Sequence, residues 1–321
     1  MTDIPGLIAD IGATNARFAL ADDQGVHNEQ VLKCADYPGI IEAVQVYLDN
    51  TGLPRSPSNA SFAVAGAVIG DRLKMVNHPW EFSISDTQNK LGFENFMVIN
   101  DFKAVALSIP HLKPEDVQQL GPGAPKKDAP IGVIGPGTGL GVASLFWDGN
   151  RYQSVPGEGG HVTMPARTQR EFDIFRTLRY KYRHVSAERV CSGKGLANIY
   201  DALRILDGHD ERPSRTPEEI SAAALNDECA LCSEALTLMM RFLGRVAGNL
   251  ALTLGAHGGI YIGGGIIHQL GERFLESEFR TEFQSKGRME EYLAPIPTYI
   301  IRHPYPAFVG LYAELKEKAD T

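Results

Sequence analysis

Five short segments of the 321-residue chain carry residue types and spacings suited to chemistry on phosphates and hydroxyls. Asp10-Ile11-Gly12-Ala13-Thr14 lies between two apolar runs. A glycine turn there leaves backbone N–H groups free to face phosphate oxygens, and the Thr14 hydroxyl adds a donor. An aspartate at a strand end, Asp10, can hold a hydrated Mg²⁺. A plain hairpin with an Asx-type turn explains the same pentapeptide equally well. Gly135-Pro136-Gly137-Thr138-Gly139-Leu140-Gly141 is a second glycine–threonine turn between apolar runs. It is not a dinucleotide-binding loop, because Leu140 stands where the third glycine belongs and no helix follows at once. Gly193-Lys194 is followed by Gly195 and makes no Walker A loop; Asp101-Phe102 is followed by Lys103 and makes no protein-kinase motif. Two glycine–threonine clamps suit a nucleoside triphosphate held in a cleft.

Asn100-Asp101 ends one apolar run and begins a helical one. In open α/β sheets ligands sit off the carboxyl ends of strands, so a catalytic carboxylate belongs here. An Asn or Asp in that position also serves as a helix N-cap. Glu158 and His161 lie in the glycine-rich Pro156–His161 loop, and Glu188 follows Ser186-Ala187. With Asn100 and Asp101 they form a set of acceptors and mixed groups that fits a neutral polyol better than an anion. Cys229-x-x-Cys232 offers two ligands where a structural zinc needs four, so two buried thiols on a helix are expected.

The elements that must position these residues follow from apolar periodicity. Strands are expected at Gly6–Ile11, Ala16–Ala21, Val26–Lys33, Ala60–Val68 and Phe96–Ile99. A helix follows Pro38, with Ile40, Ile41, Val44, Tyr47 and Leu48 at helical spacing. Ser83 with Asp86 predicts a capped helix ending at Gly92, and Phe102–Ile109 another helix. After the Pro/Gly-rich Gly121–Pro130 the opening layout recurs: strands at Pro130–Ile134, Val142–Trp147 and Arg151–Val155 around the Gly135–Gly141 turn. This internal repetition predicts two related α/β lobes with a cleft between them. The domains expected are residues 1–110, small and joined by a C-terminal helix over 301–321, and residues 111–300, large. In the latter, Leu231–Leu254 is apolar on nearly every side and reads as an internal helix, whose Gly244 and Gly248 admit a second backbone. Gly259–Ile262 is a strand leading into Gly263–Gly265, and Pro306–Lys318 is a helix.

Composition bounds the partners. The chain is 43% hydrophobic with a net charge of −8 and no basic run, which argues against nucleic acid and an anionic membrane face. Four cysteines are too few for a disulfide framework, and Met1–Gly6 shows no secretory signal. The uncharged Pro130–Trp147 and Val246–Ile267 are broken by glycines and do not read as spanning helices. A cytoplasmic protein with no membrane partner is expected; pairing with a second copy of the chain is left open.

Taken in order, Asp10–Arg17, Ile99–Phe102, Gly135–Gly141, Pro156–His161, His184–Arg189 and Gly263–Gly265 resemble the bacterial glucokinase family over essentially the whole chain. The resemblance implies the two-lobed hexokinase and actin-like (ribonuclease H-like) α/β fold. It implies transfer of the ATP γ-phosphoryl group to the 6-hydroxyl of glucose, with ATP and Mg²⁺ required. It makes Asp101 the base, with Asn100, Glu158, His161 and Glu188 holding the other sugar hydroxyls. Ala9, Asp10, Ile11, Gly12, Ala13 and Thr14 match the first phosphate segment, Gly137 and Thr138 the second, and Gly263, Gly264 and Gly265 the loop near adenosine. No protein side chain binds the metal directly; Asp10 would reach it through water. Related sugar kinases close a zinc site with cysteines after the Glu and His motif. Val162–Arg183 has none, so His161 is expected on the sugar. A kinase for mannose or fructose, or a sugar- and nucleotide-binding protein without turnover, are the alternatives.

Overall fold

The computed structural model describes residues 6–53, 56–66, 68–75 and 78–319. Residues 1–5, read for a secretory signal, and residue 67, in the strand expected over Ala60–Val68, lie outside these. The chain divides into two units, residues 1–113 with 303–321, and residues 114–302.

In the first unit, β1 (Gly6–Ile11), β2 (Asn15–Asp22) and β3 (Gly25–Lys33) form an antiparallel meander, and β4 (Asn59–Val64) lies parallel to β1 on its other side. A small hairpin of β5 (Arg72–Lys74) and β6 (Glu81–Ser83) precedes a helix at Ile84–Leu91, and β7 (Asn95–Asn100) completes the main sheet beside β4. The order is β3-β2-β1-β4-β7. Ser83 accepts from the Asp86 N–H at 3.0 Å and Gly92 turns left-handed, so that helix starts and stops where its capping residues stand. Leu7, Ala9, Phe18, Leu20, Tyr47 and Phe62 fill one core, in which the Phe18 and Tyr47 rings stack. The Pro306–Ala319 helix packs on the Asp101–Ser108 helix so closely that a Cβ at Gly310 would lie 2.0 Å from the Ala104 carbonyl oxygen. It starts at Pro306 rather than at 301: the preceding Thr298–Ile301 is a strand of the other unit, held by a neighbouring strand on each side.

In the second unit, β8 (Val117–Leu120) is an edge strand, followed by β9 (Ile131–Pro136), β10 (Leu140–Trp147), β11 (Tyr152–Pro156), β12 (Ile260–Ile262) and β13 (Thr298–Ile301). The order is β11-β10-β9-β12-β13-β8, antiparallel across β11-β10-β9 and parallel across β9-β12-β13. Leaving out β8, this is the arrangement of the first unit's sheet over again. The turn expected over Gly135–Gly141 is shorter than its glycines suggest. Pro136 pairs with Leu140 and Gly135 with Gly141, because small residues do not stop the hairpin ladder, and only residues 137–139 turn. The Ala230–Leu254 helix is the internal one, and Cβ atoms at Gly244 and Gly248 would lie 2.3 and 2.4 Å from the carbonyl oxygens of Phe279 and Phe283. No helix among the described residues is long and apolar enough to cross a membrane.

One buried ion-pair chain fastens this unit. Arg245, only 4% exposed, donates to Glu171 Oε2 and Oε1 at 2.7 and 2.8 Å and to Glu282 Oε2 at 2.7 Å. Burial pushes both carboxyls up. The hydrogen bonds and charge of Arg245, with the Arg167 and Thr168 N–H groups at Glu171 and the charges of Arg167 and Arg241 at Glu282, together outweigh it and leave both below the ordinary glutamate value. Removing one partner of such a network strands the other charges. Arg245→Met is therefore expected to lose about 3–5 kcal/mol of stability at neutral pH, read as a lower denaturation midpoint. Groups whose folded pKa is depressed stabilise fully above the unfolded value and stop doing so as pH falls through the folded one. The gap between variant and wild type should therefore hold above about pH 4.5 and narrow as the pH falls below that value. A gap that stays constant as the pH falls would rule out the ion pairs as its source.

Candidate active site

The carboxyl ends of β1 and β7 bring one group of residues together. Asp10 is the penultimate residue of β1, and in the β1–β2 register it stands opposite Arg17, whose Nη1 donates to Asp10 Oδ2 at 3.1 Å. Burial raises the Asp10 carboxyl and Arg17 lowers it; burial prevails. The turn that follows closes with the Gly12 N–H on the Asn15 carbonyl at 3.0 Å. Among the described residues neither the Ala13 nor the Thr14 N–H has a backbone acceptor, so the turn presents donors.

At the end of β7, Asn100 is the N-cap of the Asp101–Ser108 helix. Its Oδ1 accepts from the Lys103 N–H at 3.1 Å, and its Nδ2 donates to the Gly66 carbonyl at 3.0 Å. The cap role weighed for this pair thus falls to Asn100, and Asp101, the first helical residue, is released from it. Asp101 Oδ1 accepts only the adjacent Phe102 N–H, at 2.8 Å, among the hydrogen bonds resolved for its side chain. Its carboxyl is pushed up to about 6, first by burial and then by the charge on Asp10, against the hydrogen bond from Phe102. A carboxyl poised there is ionised at neutral pH yet basic enough to accept a proton.

The second group is built around the β9–β10 hairpin. Its turn closes with the Gly137 N–H on the Gly139 carbonyl at 2.8 Å, the counterpart of the Gly12 closure. Gly263 donates to the Ile134 carbonyl at 2.9 Å, and Gly264, at φ +99°, would drive a Cβ to 2.3 Å from the Pro136 carbonyl oxygen. Only glycine fits, and Gly263–Gly265 is thereby seated against the end of β9 beside Gly137 and Thr138. On the other side, residues 162–164 and 185–187 are zipped together: Met164 N–H to Val185 O at 3.1 Å, Ala187 N–H to Val162 O at 2.9 Å. This zipper brings Glu158, His161 and Glu188 into one neighbourhood. Glu188 Oε2 accepts the Leu140 N–H at 3.1 Å and would lie 2.5 Å from a Cβ at Gly139, leaving Oε1 for a ligand. Glu158 and His161 are exposed, with His161 Nε2 3.8 Å from Glu158 Oε2. Among the described residues no group of three or more His, Cys, Asp or Glu is placed to hold a metal ion.

Two residues gain a place here that the sequence reading did not give them. Arg17 was part of the first motif without a role; counting the hairpin register from Gly12–Thr14 would have set it against Asp10. Gly193 was considered only as part of a failed Walker A. In the structure it opens the Gly193–Leu206 helix, and its N–H holds the Gly137 carbonyl at 2.9 Å. Ser192, the cap of that helix, donates to the Glu188 carbonyl at 2.8 Å. Nothing in the sequence brought positions 137 and 193 together.

Comparison with known proteins follows the same lines. A family model described as Glucokinase matches residues 7–318. A glucokinase of Paramagnetospirillum magneticum is 48% identical over 307 residues, covering 95% of this chain and 95% of the relative. The crystal structure of a glucokinase from an Antarctic psychrotroph superposes with a TM-score of 0.87 at 34% identity, covering 99% of this chain and all of the other. A ROK family glucokinase from Streptomyces griseus, solved with glucose and AMPPNP, shares the fold with a TM-score of 0.65 at 16% identity, over 98% of this chain and 99% of its own. The fold is the two-lobed hexokinase and actin-like one. The duplicated sheets, the carboxylate at the end of β7 and a match across nearly the whole length agree, and the chain belongs to the glucokinase family.

Proposed function

We propose that Asp101 is the base of this enzyme, taking the proton from the glucose 6-hydroxyl while the γ-phosphoryl group of ATP is transferred to it. That the chain is a hexose kinase phosphorylating glucose from ATP follows from its family. The observation that carries the assignment of Asp101 is its carboxyl: at a strand end, spared from capping by Asn100, and raised to about 6. A sugar hydroxyl is a poor nucleophile, and a carboxylate within hydrogen-bond reach orients it and accepts its proton as transfer proceeds.

The remaining roles divide by chemistry. Glu188 through Oε1, Glu158, His161 and the spare amide hydrogen of Asn100 hold the other sugar hydroxyls. The Ala9–Thr14 segment and Gly137-Thr138 offer backbone and hydroxyl donors to the phosphates, and Gly263–Gly265 leaves room for the adenosine. Phosphoryl transfer asks mainly for positioning and charge stabilisation, which these donors provide. The hard oxygens of Asp10 suit Mg²⁺ reached through water, and the ion, carried in with ATP, would neutralise charge on the transferring phosphates. Arg17 orients Asp10 through its hydrogen bond and favours the charged form against the effect of burial. We place the enzyme in the cytoplasm; its four cysteines are free thiols, which suits a reducing compartment.

ADP release measured with and without glucose, and with mannose or fructose in its place, tests the activity and its strictness. Asp101→Asn should lower turnover by at least about 100-fold while ATP binding persists. The same variant should be more stable than wild type above about pH 6. A carboxyl with a raised folded pKa stabilises below its unfolded value and loses that contribution as pH rises through the folded one. The gain should be on the order of 1–2 kcal/mol. A variant that folds and turns over glucose at near wild-type rate would end the assignment.

The pH profile gives a separate test. kcat/KM should fall on the acid side with an apparent pKa near 6, as Asp101 becomes protonated. Asp10→Asn removes the neighbouring charge and should move that limb to lower pH, whatever it does to the maximal rate. An unmoved limb would mean that another group sets it.

A further inference from the structure

Phosphoryl transfer leaves the Cys229-x-x-Cys232 pair without a role. The structure does not bury both thiols, as the sequence suggested. Cys229 is half-buried at the N-cap of the Ala230–Leu254 helix, whereas Cys232 is fully buried one turn on. The reason is the cap itself: the residue before a helix stands outside the first turn and meets solvent. No side chain caps this helix, and its first N–H groups, at Leu231 and Cys232, face the Cys229 sulfur. Arg215 adds a cation, its Nη1 donating to Cys232 Sγ at 3.5 Å while its guanidinium lies over the Tyr200 ring.

Two thiols, a helix N-terminus and an arginine are the ingredients of a reactive dithiol. Burial works against ionising Cys229, but the helix N–H groups, the neighbouring thiol and Arg215 outweigh it and hold the thiol below the ordinary cysteine value. Cys232 is pushed up to about 11, by burial and by the adjacent Cys229 sulfur. The pair thus has an accessible attacking sulfur and a protonated resolving one. Cys229 at the N-cap and Cys232 in the first turn are separated by two residues, so adjustment of that turn can bring their sulfurs to bonding distance. Cys34 and Cys191 differ: both are buried, burial raises both thiols, and the Cys34 thiol donates to the Gly12 carbonyl. A metal explains the pair less well, since no group of three or more candidate ligands forms among the described residues.

We propose that Cys229 and Cys232 form a reversible thiol–disulfide site that accepts oxidising equivalents from small-molecule disulfides. In the first step the Cys229 thiolate attacks one sulfur of the external disulfide. A Cys229–S bond forms, the external S–S bond breaks, and one external thiolate leaves and takes up a proton. Cys232 then gives its proton to solvent and attacks Cys229 Sγ, closing the protein disulfide and expelling the second external thiolate, which is protonated in turn. The two protein thiols are oxidised and one external disulfide is reduced to two thiols.

The test exposes the reduced full-length protein to glutathione disulfide, quenches with acid and reads intact mass and peptide maps. Wild type should lose two hydrogens, map to a Cys229–Cys232 bond and return to its starting mass with dithiothreitol. Cys232→Ser should instead trap one glutathione on Cys229, and Cys232→Ala should do the same where serine disturbs the core. Arg215→Gln should slow that trapping by about threefold or more, since it removes the cation that favours the thiolate. The proposal is overturned by Cys232 variants that fold and take up no glutathione at Cys229. It is equally overturned if Cys34 or Cys191 reacts as readily as Cys229.

Discussion

Asp10, one residue before the end of β1, and Asp101, directly after β7, lie at the carboxyl ends of two strands separated only by β4. The charge on the first makes the second harder to ionise. Much of the first unit follows from accommodating that arrangement. Arg17 stands across the hairpin from Asp10 and offsets part of the effect of burial, which still raises its carboxyl. Asp101 has no such cation among the described residues; the Phe102 N–H donates to it, and its neighbour Asn100 takes over the capping of the helix. Burial raises both carboxyls, and they differ in their partners: Asp10 has a cation beside it, whereas Asp101 has the charge of Asp10.

The repeated sheet shows how one backbone plan is adapted twice. Both units open with a hairpin whose first glycine N–H closes the turn, leaving later turn donors facing outward. What differs is what crowds the turn. In the first unit the strand ends carry carboxylates. In the second the neighbours are backbone: Gly264 lies against the Pro136 carbonyl, and Gly160 would place a Cβ 2.1 Å from the Leu140 carbonyl oxygen. Glycine stands at those positions because loops from three distant stretches of chain converge on one hairpin, and only a residue without a side chain lets them approach. The glycine clusters at these positions are thus the trace of backbone convergence around the β9–β10 hairpin.

That convergence marks where the sequence could be read and where it could not. Strands β1 to β3, the helix capped by Ser83, the internal Ala230–Leu254 helix and the close approach at Gly244 and Gly248 were all visible, because each rests on local periodicity, capping or spacing. The short β5–β6 hairpin, β8 and β13 were not: three or four residues carry too little alternation to stand out. The extent of the Gly135–Gly141 turn was misjudged for a related reason, since glycine marks both turns and crowded strands. The zipper joining residues 162–164 to 185–187, and the bond from Gly193 to Gly137, are long-range pairings without a local signature. Candidate site residues could be named through an ordered set of motifs, but the backbone pairings around them could not.

The contrast between Glu171 and Asp101 explains why residue type alone does not separate structure from function. Both are acidic, and both sit in the first turn of a helix. Glu171 completes a capping box with Thr168 and in addition receives the Arg167 N–H at 2.6 Å and the Arg245 guanidinium, so its two oxygens are fully engaged. A carboxylate satisfied to that degree is held below its ordinary pKa and has nothing left to offer a substrate. Asp101 is held above its ordinary pKa by burial and by the charge on Asp10, with no cation among the described residues to offset them. Stability is gained at the first position and given up at the second. An active-site carboxylate is recognised by that deficit, by the cation and the donors that a purely structural acid in the same place would have collected.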